Sequence, residues 1–206
     1  MKNKFLEVDI MVKEISTNYI KKIAEGMSNS AIVNYDDLPK YDLFLSQVID
    51  FLNDKFEEDN YTNNIVQNYI KSEVISKPED GKKRGYTKLH LVQLVLLSYM
   101  RPVLTTEEIK KVFRLAFNEI NDREDDIISW EKGYKIFLET QSESFKDFLS
   151  KPVVDEQKLE SMISELKLNE NDENGIRTFI TVMSLVAQAS VIKKLVQKIV
   201  NEYHLD

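Results

Sequence analysis

The 206-residue chain has no cysteine. Disulfides, iron–sulfur clusters and cysteine-ligated zinc are therefore excluded, and the composition fits a reducing compartment. Glycine (5) and proline (4) are scarce and do not gather into a linker, so long uninterrupted elements are expected. The glycines, at 26, 81, 85, 133 and 175, form neither a phosphate loop nor a dinucleotide fingerprint. The two histidines, His90 and His204, lie far apart, and His90 sits in an apolar run where packing or hydrogen bonding is expected instead of metal ligation. No serine stands in a nucleophile-elbow context. Glu170-x-Asp172-x-Asn174-Gly175 imitates the start of a calcium loop, but Thr181 occupies the twelfth position, which needs a glutamate. No catalytic residue, metal site or cofactor is expected, and the chain does not read as an enzyme.

Long apolar runs are also missing. The start, MKNKFLEVDIMVKEI, scatters acids where a signal peptide needs an unbroken apolar core. Phe179–Ile192 is interrupted by Thr, Ser and Gln and is too short to span a bilayer, so it reads as a buried or inter-subunit helix. A cytoplasmic protein without membrane attachment is expected.

What is present is helical periodicity. At 42% hydrophobic, the chain can bury a core of one large or two small domains. Phe5, Val8, Val12, Ile15, Tyr19 and Ile23 step by three and four, predicting a helix that ends near Gly26. Further helices are expected over 43–56, 61–72, 88–100, 105–120, 129–149, 155–168 and 174–202, with loops at 27–40 and in NENDENG (169–175). The 88–100 helix is apolar nearly all round and should be the most buried. Thr105-x-x-Glu108 is a capping box opening the next helix.

One stretch departs from this acidic background. On a helix over 61–72, Asn64, Gln67, Asn68 and Lys71 fall on one face at i, i+3, i+4 and i+7, opposite Ile65, Val66, Tyr69 and Ile70. That outer face holds amides and a lysine and no acid. Asn and Gln can pair bidentately with adenine in the major groove, and Lys suits guanine or phosphate. A basic turn follows, with Lys82, Lys83 and Arg84 between Gly81 and Gly85, and Lys88 opens the next helix. A short hairpin tipped with cations is how a wing reaches a phosphate backbone. Between Asn60 and Arg114 ten Lys and Arg stand against five acids, net +5, so the remainder must carry −12 to reach the total of −7. Such asymmetry is an electrostatic footprint for nucleic acid.

The order of these parts resembles a MerR-type winged helix-turn-helix. Asn68-Tyr69 stands at the aromatic pair that ends the recognition helix, and Gln67 occupies the place of the usual arginine. Val74-Ile75, Pro78, Tyr86 and the helix within Leu104–Val112 follow in the matching order, and the likeness covers roughly residues 60–114. A longer set of segments resembles the domain-of-unknown-function 1836 family, a bacterial group described as MerR-like. It comprises LPKYDLFLSQVIDFLND, NYIKSEVISKP and RGYTKLHLVQLVLLSYMRPVLTTEEIKKVF, together with the acidic C-terminal helices. This likeness implies DNA binding and supplies neither catalytic residues nor a ligand.

The expected architecture is therefore mainly α, a MerR-like winged helix-turn-helix with a small β-hairpin wing plus added N- and C-terminal helices. Residues 1–37 form an N-terminal helix and loop, 38–120 the winged domain and 121–206 a helical C-terminal region. The expected function is a transcriptional regulator reading duplex DNA with helix 61–72 and basic wing 81–85. A non-catalytic protein-interaction module on the same fold is the alternative. The last helix carries Ile192, Leu195, Val196, Ile199 and Val200, which either pair with a second subunit or close the monomer's own core.

Overall fold

The helix that the sequence makes apolar all round lies at the centre. In the computed structural model, α4 (Lys88–Met100) buries Leu91, Val92, Leu94, Val95 and Leu97 completely or nearly so. The structure describes residues 17–31, 33–56, 59–78, 85–151 and 154–203. The other α-helices are α1 (Thr17–Ala31), α2 (Leu45–Lys55), α3 (Asn63–Lys71), α5 (Thr106–Phe117), α6 (Trp130–Ser150), α7 (Glu156–Ser164) and α8 (Glu170–Glu202); α2 and α6 pack on α4, α1 on α6, and α8 on α5 and α7. One buried cluster runs from Val33 to Tyr134 and draws on α2, α3, α4, α5 and α6. A large aliphatic side chain buried there contributes about 1.5–3 kcal/mol relative to exposure.

Local chemistry sets the helix ends. Thr105 Oγ1 accepts from the Glu108 N–H (3.3 Å), and the Glu108 carboxylate accepts from the Thr105 N–H (2.8 Å), the reciprocal capping box expected. The α4 start is capped by a histidine: Nδ1 of His90 accepts the Thr87 N–H at 3.0 Å, so His90 is a buried, hydrogen-bonded packing residue. α6 docks through aromatics. Trp130 stacks on Phe117 with centroids 3.5 Å apart, and the buried Tyr134 hydroxyl donates to Val33 O at 2.6 Å.

Several boundaries differ from expectation. α1 passes through Gly26 and ends at Ala31; an exposed glycine costs a helix only about 1 kcal/mol and does not by itself stop one. NENDENG is not a loop. Asn169 caps α8 by accepting the Asp172 N–H at 3.0 Å, and Glu170, Asp172 and Glu173 then complement the helix dipole, so α8 begins there. Phe5, Val8, Val12 and Ile15 lie outside the described residues.

The mainly α character holds, but the β-hairpin wing does not. Among the described residues there is no strand; the single β contact is an isolated antiparallel bridge between Leu43 and Tyr86. A wing needs the segments before and after the basic turn to pair with each other. Instead Val74 and Ile75 are fully buried, and Gln93 Oε1 on α4 takes the Ser76 N–H (2.9 Å) and hydroxyl (2.8 Å). On the far side, Tyr86 turns to Leu43, ahead of α2. Both arms are occupied elsewhere.

Candidate nucleic-acid interface

α3 forms because Thr62 caps it, its hydroxyl accepting the Ile65 N–H at 3.4 Å, and because Val66 and Ile70 bury one stripe. The opposite face is exposed and carries Asn64, Asn68 and Lys71, with no acid. Its C-terminus closes in a Schellman motif: Val74 N–H reaches Tyr69 O (2.9 Å) and Glu73 N–H reaches Ile70 O (3.0 Å). Glu73 occupies the left-handed position usually given to glycine, with φ 55°.

The connector between α2 and α3 is pinned as firmly. The Asn53 amide brackets the Tyr61 backbone, accepting from its N–H at 2.6 Å and donating to its carbonyl at 3.1 Å. The buried Tyr61 hydroxyl lies 2.7 Å from Ser98 Oγ on α4, and burial pushes its pKa up to about 12. Arg101 donates to Asp59 O (3.0 Å) and sits over the Tyr61 ring. α3 is thereby held at both ends, as a reading helix requires.

The structure brings Asn64, Asn68 and Lys71 together on this open face. Gln67 is half-buried and engaged: its Nε2 donates to the Tyr86 hydroxyl at 3.2 Å. Tyr86 is a hub, with its backbone bonded to Leu43, its hydroxyl taking Gln67 and its ring packed edgewise on His90. Burial raises the Tyr86 pKa, and the Gln67 hydrogen bond opposes that shift in part.

Lys88 is not part of the α3 face. Its ammonium lies 3.6 Å from the Tyr35 ring centroid, in an open cleft between the starts of α4 and α6 that Lys77, Arg123, Trp130 and Glu131 also line. Glu131 there is held below the usual glutamate range, first by the hydrogen bond from Lys135 and in lesser part by the Lys88 charge. Lys82, Lys83 and Arg84 lie outside the described residues. Among the described residues no group of three or more acids and histidines could hold a metal ion.

Sequence reasoning missed the Asn53 anchor, and it placed Tyr86 in the winged-helix likeness without the contacts that make it a hub. Asn53 and Tyr86 act across eight and nineteen positions, and no spacing rule marks these contacts in advance.

Against known proteins, the pattern of Domain of unknown function (DUF1836) matches residues 33–137. The chain is also 36% identical over 67 residues to Uncharacterized protein YkrK of Bacillus subtilis (strain 168). That stretch is 31% of this chain and spans only 28% of the relative's length. No solved structure matches. The DUF1836 match takes in α2 to α5, the connector pinned by Asn53 and the start of α6, just over half of the chain, and the protein belongs to that family.

Proposed function

We propose that this is a cytoplasmic, non-catalytic DNA-binding regulator, with α3 as the helix that enters the major groove in a MerR-like α2–α3 pair. One observation carries the reading: on a chain of net charge −7, α3 presents an exposed face of Asn64, Asn68 and Lys71 without an acid. Amides that point to solvent from a helix fixed at both ends are suited to base edges. Lys71 and the basic segment around Lys82, Lys83 and Arg84 suit phosphates. Gln67 acts here as a positioning residue through Tyr86, and Lys88 contributes charge from the neighbouring cleft.

Fluorescence anisotropy against random-sequence and genomic duplexes, at low and near-physiological salt, tests this. Binding to a subset of fragments should survive physiological salt. Lys71→Ala should weaken binding on all sequences and reduce the salt slope by about 1, whereas Asn68→Ala should change preference between sites by about 1–3 kcal/mol. Replacing Lys82, Lys83 and Arg84 together by Ala should weaken binding on every sequence. Folded protein that binds no duplex at low salt refutes the reading. The alternative, a protein-interaction module, draws support from the exposed apolar side chains of α8.

A further inference from the structure

We propose that α8 is the seam between two copies of this chain, formed where the two helices cross. This does not depend on DNA binding. α8 is held to the rest of the molecule at its two halves. Toward its start Thr181 is buried, and Arg177 pairs with Glu160 of α7. Toward its end Val200 is buried, and Lys111 of α5 donates to Asn201 at 3.1 Å. Between these anchorages every residue from Val186 to Leu195 is exposed.

The exposed side chains are largely apolar and form two groups. Phe179, Val182, Met183 and Val186 recur at i, i+3, i+4 and i+7 on one flank. Val191, Ile192, Leu195 and Ile199 lie about half a turn round the helix from them. Phe179 is 61% exposed, Val191 65% and Ile192 60%. Each group of four offers on the order of 400 Å², the size of the largest apolar patch on a typical monomer, and the two together reach the roughly 800 Å² that one partner contributes to a standard-size interface.

Charge selects the occupant. No Asp, Glu, Lys or Arg occurs from 178 to 192, the longest such run in the sequence. A chain of net charge −7 repels its own copy wherever acids stand, and this helix is where that repulsion is absent. The same lack of charge gives a nucleic acid or a charged peptide nothing to hold. Ala187 and Ala189 fall on opposite sides of the bare middle, so on either side a small side chain lets two helix backbones approach. Because the flanks face opposite ways, a partner helix must cross there instead of lying alongside, and each arm then passes one apolar flank of the other copy. The contact is isologous, as a two-fold dimer requires.

By length and composition alone α8 is also apolar enough to cross a membrane. Its uncharged run, however, rises only about 22 Å against the roughly 30 Å of bilayer hydrocarbon. Thr178, Thr181, Ser184, Gln188 and Ser190 interrupt it, and insertion would strip α8 from both α5 and α7.

Light scattering coupled to size exclusion should give the full chain twice its 24.1 kDa mass at micromolar concentration. The double change Val186→Glu and Leu195→Glu should weaken association about a hundredfold or more with an unaltered circular dichroism spectrum. Because the chain has no cysteine, Ala187→Cys or Ala189→Cys introduced singly should give an oxidised cross-linked dimer at one position or the other. Lys146→Cys, on the exposed side of α6, should not cross-link. A monomeric wild type, failure of both α8 cysteines to cross-link, or flotation of the chain with neutral phosphatidylcholine vesicles each overturns the proposal.

Discussion

Glu73 holds a left-handed backbone conformation with a full side chain, which costs an L-residue about 1–2 kcal/mol. Its return is an ion pair with Lys110 at 3.6 Å, half-exposed and therefore worth at most about 1 kcal/mol. Glu73→Gly should therefore stabilise the fold by about 0.5–1 kcal/mol, read as a higher urea midpoint at unchanged slope. At this scale the helix-face residues are legible, because a 3.6 period alone separates Asn64, Asn68 and Lys71 from Val66 and Ile70. The partners of Gln67 and Lys88 are not. Tyr86 and Tyr35 meet them only after the chain has folded back, so two of the residues assigned to one surface in fact serve as contacts in other places.

Among the elements, α4 is recovered to the residue because Thr87 and Pro102 bracket an unmistakable apolar run. The wing is misread because glycines and cations describe a turn without saying which segments pair across it. The burial of Val74 and Ile75, and the Ser76–Gln93 bonds, are tertiary choices that override a hairpin-like sequence. The α5–α6 corner shows a close approach of the same tertiary kind. A Cβ on Gly133 would meet Phe117 Cζ at 2.9 Å, and that ring cannot swing away while it stacks on Trp130. Gly133→Ala should gain about 1 kcal/mol of helix propensity but lose about 1–3 kcal/mol to overpacking. The net effect is a lower melting temperature and a change in Trp130 fluorescence, whereas a higher melting temperature would show that the corner relaxes freely.

Over the whole molecule, Glu108 links helix capping to the attachment of α8. Its carboxylate receives the Thr105 N–H and also lies 3.5 Å from the Gln197 amide. The Thr105 backbone bond holds its pKa below the ordinary 4.5. A depressed carboxylate contributes stability above its unfolded pKa and loses it as pH falls through the folded value. Stability should therefore decline below pH 4.5 in the wild type, and Glu108→Gln should make that decline shallower in melting temperature against pH. The amide can still accept the capping bond, so an equal slope in both proteins would remove Glu108 from the account. At the same scale, the sequence reading of one stripe at 192–200 resolves into two roles: Val196 and Val200 pack inward, while Ile192, Leu195 and Ile199 face solvent. The Tyr86 hub has a mechanical consequence. The basic segment joins the folded body at Gly85, one residue before Tyr86. A pull on that segment strong enough to move Tyr86 cannot loosen one neighbour alone; it parts the Leu43 bridge, frees the Gln67 amide toward the α3 face and uncovers His90 at the head of α4 together. Residue 86 is a latch shared by α3, α4 and the Leu43 backbone ahead of α2, and tension on the cationic segment registers at the amide face of α3.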